Sequence, residues 1–168
     1  MATSTLLQKL DPVTDPLVSG TVGSTSTTMD RGQYETFLAR ETLAVGDWVA
    51  FDYAATAAAD VTLGVFKADG NSSPVRTPFG VVVSADSTSG LLTSGSRVRV
   101  CIAGVCSASV GDNAAAGSSI GQILQITNTA GTADVAASTT QPVCGILAET
   151  VPAAAGITLK RVVVIKQF

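Results

Sequence analysis

Gly95-Ser96-Arg97-Val98-Arg99-Val100-Cys101-Ile102-Ala103-Gly104-Val105-Cys106-Ser107-Ala108-Ser109-Val110 is the stretch on which the fold turns. Val98, Val100 and Ile102 alternate with Arg97, Arg99 and Cys101, the period of two that belongs to a β-strand. Gly104 interrupts the pattern, and Ala103-Gly104 reads as a tight turn between two strands, 96–103 and 105–110. A two-residue loop there would set Cys101 opposite Cys106, close enough to bridge. A three-residue loop with a bulge would shift the register by one and part them. Free thiols are the favoured reading.

The same alternation runs outward in both directions. Tyr34, Thr36 and Leu38 alternate with Glu35, Phe37 and Ala39, and residues 47–52 (Asp-Trp-Val-Ala-Phe-Asp) alternate polar with large apolar side chains. Further strands are expected at 79–84, 120–127, 143–148 and 157–168, with Gly, Asn, Asp or Pro between most of them. Ala54 to Ala59 and Asn113 to Ala116 allow short helical turns, but neither has an amphipathic face.

A weak repeat accompanies this pattern. Pro78-Phe79-Gly80-Val81-Val82-Val83 precedes a small-residue loop and an alternating strand, as does Pro142-Val143-Cys144-Gly145-Ile146-Leu147. The expected fold is therefore all-β: a compact β-barrel or β-sandwich built from two similar halves, 44–109 and 110–168, within one domain. Residues 1–43 supply an extended N-terminal arm and the first strand. The arm carries apolar anchors at Leu6, Leu7, Leu10, Val13, Leu17 and Val18, followed by a Gly/Ser/Thr tether with little to bury. Such a segment suits ordering on a partner, and the six anchors are the expected contacts.

Composition narrows the chemistry. Of 168 residues, 14% are charged and 5% aromatic, the net charge is -3, and histidine is absent. A mean hydropathy of +0.40 would suit a membrane protein, yet no apolar run approaches the ~20 residues of a spanning helix. The start, Met1-Ala2-Thr3-Ser4-Thr5, lacks the basic residues of a secretory leader, and three cysteines are too few for a disulfide framework. An acidic chain is a poor match for nucleic acid. Without histidine the usual neutral-pH base and commonest metal ligand are missing. No serine, threonine or lysine falls in a nucleophile motif. Asp69-Gly70-Asn71 lacks the other ligands of a calcium loop and reads as a polar turn. No catalytic, cofactor or metal site is expected. Lys160, Arg161 and Lys166 form the densest basic cluster, on a terminal strand where such charges commonly guard an edge.

Three segments taken in order carry a resemblance. Arg31-Gly32-Gln33-Tyr34-Glu35-Thr36-Phe37 leads to Ala44-Val45-Gly46-Asp47-Trp48-Val49-Ala50-Phe51-Asp52; Phe79-Gly80-Val81-Val82-Val83 leads to Gly95 through Val105; and the chain closes on Val162-Val163-Val164-Ile165-Lys166-Gln167-Phe168. Over residues 31–168 the chain resembles small tailed-bacteriophage virion proteins of the capsid decoration, or cement, type. That resemblance implies a non-enzymatic protein that binds the outside of an icosahedral head and bridges major capsid protein subunits. It also implies a homotrimer, assembly in the bacterial cytoplasm, and no nucleic-acid or membrane partner. A tail or host-attachment component of the virion is the alternative, although such tips usually display more aromatics than one Trp and two Tyr.

Overall fold

Alternating apolar positions become eleven strands in the computed structural model, which describes residues 32–52, 63–71, 76–85, 91–111, 117–136, 142–153 and 155–166. The strands are β1 (Gln33–Ala39), β2 (Leu43–Ala44), β3 (Trp48–Phe51), β4 (Gly64–Lys67), β5 (Gly80–Ala85), β6 (Leu91–Leu92), β7 (Arg97–Val110), β8 (Ile123–Ile126), β9 (Ala133–Val135), β10 (Val143–Leu147) and β11 (Thr158–Val164). Nine form one mixed sheet in the order β1-β4-β3-β5-β7-β11-β10-β8-β9, and β2 pairs with β6 apart from it. The end strands β1 and β9 both return to pair with β7. Two pairings are parallel, β1 with β4 and β7 with β9.

The turn expected at Ala103-Gly104 does not form. Residues 97–110 are one strand of 14 residues. Its first half pairs with β1 and β5, its second with β11 and, at Val110, β9. Gly104 lies within it at φ 100°, a backbone setting that only glycine adopts freely. The setting re-aims the strand. Before it, Val98, Val100 and Ile102 point into one core; beyond it, Cys106, Ala108 and Val110 point into another. Cys101, on the opposite face of the first half, already belongs to the second core. The three cysteines are buried, and none forms a disulfide.

The first core is aromatic. Phe51 and Phe79 stack at 3.9 Å and 5°, and Phe37 meets both edge-on at 5.8 and 5.1 Å. The second gathers around Trp48, which is fully buried and donates its Nε1–H to the Ser109 carbonyl at 3.1 Å. Consecutive residues of β3 serve different cores, Trp48 the second and Val49 the first.

This arrangement corrects the expectation of a compact β-barrel or β-sandwich built from two similar halves. A barrel or sandwich encloses one core, whereas here strands β3, β5 and β7 carry a core on each face. The two cores differ in make-up, and the sheet shows no equivalence between 44–109 and 110–168. The physical reason is Gly104: by bending a strand instead of reversing it, it lets β7 run through both regions.

Other expected strands are shorter than read. Ile120-Gly121 forms a turn with Gly121 at φ 88°, so β8 begins at Ile123. β2, β4, β6 and β9 were not expected; each has four residues or fewer, too few to show a period. Asp69-Gly70-Asn71 is a turn closed by the Asn71 N–H on Asp69 Oδ1 at 2.8 Å. The helical turns expected in 54–59 and 113–116, and the arm anchors Leu6, Leu7, Leu10, Val13, Leu17 and Val18, lie outside the described residues.

Candidate functional site

Several charged side chains within the fold are occupied by structure. Asp47 caps its own turn, accepting the Ala44 N–H at 2.8 Å, and meets Lys67 Nζ at 3.1 Å. Lys67 in turn donates its main-chain N–H to Glu41 Oε1 at 2.6 Å. Glu149 takes Lys160 Nζ at 3.0 Å and the Arg161 main-chain N–H at 3.3 Å. These two hydrogen bonds hold its carboxyl below the ordinary carboxylate range. Among the described residues no three His, Cys, Asp or Glu side chains converge as a metal would require, and no helix is long and apolar enough to cross a membrane.

The feature that stands out is a surface, built by register. Val105 on β7 pairs with Val163 on β11, Val163 with Ile146 on β10, and Ile146 with Ile123 on β8. Directly paired residues project to the same face, so four β-branched side chains form a row across four strands. At about 4.8 Å per strand the row is roughly 14 Å long. Ala136 extends it, donating its N–H to the Ile123 carbonyl at 2.9 Å. Val105, Val163 and Ile146 are half-buried and Ile123 is 49% exposed.

More apolar surface lies on or next to these strands. Ile120, Val143, Ile157 and Leu159 are all exposed, and the other large exposed hydrophobic among the described residues is Leu63. Apolar exposure is therefore concentrated on the β8, β10 and β11 side. Scattered exposed apolar residues are ordinary, whereas these gather around one set of neighbouring strands.

Sequence reasoning did not find this row. Its signal was present in Val162-Val163-Val164-Ile165 and in Val143-Cys144-Gly145-Ile146-Leu147, where apolar residues run on without alternating. A strand apolar on both faces has something to cover on each. The basic cluster is placed partly as expected: Lys160 and Arg161 sit on β11 where β10 has ended, and the Glu149 carboxylate takes the place of a neighbouring strand at the Arg161 N–H.

Fold and surface together define an all-β protein with a mixed sheet and an apolar row across four of its strands, with Arg161 beside that row on β11. No protein-family model matches the chain, and no curated protein matches it. Among solved structures it is similar to the N base of head fiber gp8.5 in bacteriophage phi29. The TM-score is 0.47 at 17% identity, covering 79% of this chain and 93% of that chain. No function follows from a likeness of that degree.

Proposed function

We propose that this chain is a structural component of a bacteriophage virion, attached to the exterior of the head through the apolar row on β7, β11, β10 and β8. The observation that carries the reading is the row Val105–Val163–Ile146–Ile123: four apolar side chains in register, on a body whose charged groups are few. The resemblance of residues 31–168 to head-decoration proteins supplies the setting. Many copies on one head make individually weak apolar contacts effective.

Two forms of attachment fit that setting. A cement protein bridges neighbouring major capsid subunits, often as a trimer, and needs contact surfaces on two sides. A fibre or host-attachment component needs one mounting face. Among the described residues apolar exposure is concentrated at and beside β8, β10 and β11, which favours the second form. In either form the arm anchors Leu6, Leu7, Leu10, Val13, Leu17 and Val18 would add a contact by laying an extended strand on a partner's sheet edge.

Co-sedimentation with isolated phage heads that lack the protein tests the reading. Saturable binding to heads is the expected result, and labelling by electron microscopy separates the forms. Density between capsid subunits means cement, and density projecting from a few sites means a fibre or attachment part. Failure to bind heads in both expanded and unexpanded states would overturn head attachment. Removing residues 1–30 should leave a folded body that binds heads poorly; undiminished binding would exclude the arm as a contact.

A further inference from the structure

Arg97 and Arg99 are two exposed cations two positions apart on β7. Lys67 and Lys160 are each bonded to a carboxylate, whereas among the described residues no carboxylate forms an ion pair with Arg97 or Arg99. Both are exposed, with Val98 buried between them. Arg97 pairs in register with Leu38, and Arg99 with Thr36 and Ser84; among the described residues no register partner is acidic. Charges on strands commonly protect a free edge, but this part of β7 is covered by β1 on one side and β5 on the other. Edge protection therefore does not account for them.

The pair is also prearranged. Residues two apart on a strand project from the same face at about 7 Å spacing, and the Arg99 guanidinium lies 4.5 Å from the centroid of the Tyr34 ring. Stacking on an aromatic face limits the rotamers that binding would have to freeze. A planar guanidinium presents two parallel N–H donors to a carboxylate, a geometry that lysine lacks.

We propose that Arg97 and Arg99 are a docking site for an acidic segment of a partner protein. The segment carries carboxylates at alternate positions of an extended chain, whose side chains repeat at the same ~7 Å. Nucleic acid is disfavoured because the chain as a whole is acidic, with a net charge of -3, and would repel a phosphate backbone beyond the two arginines. The site lies on a different part of the sheet from the apolar row and does not depend on the virion reading.

The test uses the full chain, labelled with nitrogen-15, and titrates it separately with a short peptide of alternating Glu and Ser, the same peptide with Gln for Glu, and a short single-stranded DNA. The expected result is that the Glu peptide alone shifts the amides around Thr36, Arg97 and Arg99, with affinity falling as salt is raised. Arg97→Gln with Arg99→Gln should weaken that binding about tenfold or more, and Lys at both positions should keep part of it. Because both side chains are exposed, the variants should retain the wild-type spectrum elsewhere. The proposal is overturned if the Glu peptide causes no shifts at these residues, if the double variant binds it equally well, or if the DNA binds there in its place.

Discussion

Gly145 sits where the second core is closely packed. A Cβ on it would lie 2.8 Å from the Val163 carbonyl oxygen and 3.0 Å from Cη2 of Trp48. The carbonyl belongs to the neighbouring strand and the indole is fully buried, so neither gives way cheaply. Gly145→Ala should therefore destabilise the protein by about 1–3 kcal/mol, as overpacking of a close-packed interior does. Urea unfolding checks this, with Trp48, the single tryptophan, as the fluorescent reporter. An unchanged midpoint would mean that the strand spacing relaxes. The cysteines belong to the same scale. Cys101, Cys106 and Cys144 are buried and unbridged, and burial pushes the Cys144 thiol far above its ordinary range. A thiol reagent should find none of the three in the native protein and all three after unfolding.

At the scale of elements, Glu149 finishes what β10 leaves undone. β10 pairs with β11 only as far as Leu147 opposite Val162, and the Glu149 carboxylate then accepts the next exposed main-chain donor, Arg161 N–H, while holding Lys160. Because the folded-state pKa lies below the unfolded one, the carboxylate's contribution is fully present above the unfolded-state value. It is lost as pH falls through the folded one. The side chain is half exposed, which keeps the contribution under about 1 kcal/mol. Comparing the urea midpoints of wild type and Glu149→Gln across pH should show a small gap at neutral pH that closes in acid. A gap that persisted in acid would assign the effect to shape, not charge. β7 shows how much a single residue decides within an element. Val98, Val100 and Ile102 announced a strand, and so did the residues beyond Gly104; whether glycine reverses a chain or merely bends it depends on which strands arrive to pair with it. Here β11 pairs with residues 104–110, and the strand continues.

For the whole molecule, the one-sided apolar surface is what bears on function. Ile123→Glu together with Val163→Glu would place two carboxylates in the row Val105–Val163–Ile146–Ile123, on its solvent face. Stability should change little, because Ile123 is 49% exposed and Val163 only half-buried, while co-sedimentation with phage heads should be lost. Full binding by a folded double variant would move the mounting face elsewhere. A salt series on the same heads adds a second reading, since apolar contact resists salt and arginine–carboxylate contact does not.

Most of the individual strands were legible in the sequence. Alternation such as that of Val98, Val100 and Ile102 with Arg97, Arg99 and Cys101 is a local property, set by side chains pointing to opposite faces of a pleated backbone. The lack of histidine and of nucleophile motifs was equally plain, since composition needs no fold to be read. The sheet order was not legible, and neither were the two cores that share β3, β5 and β7. Nor was the register that lines up Val105, Val163, Ile146 and Ile123. Alternation records that two faces exist; it carries no information about what covers each one. That is decided by pairings between residues far apart in the chain, such as Ala103 with Gln33 and Gly104 with Val164, and those exist only once the strands have met.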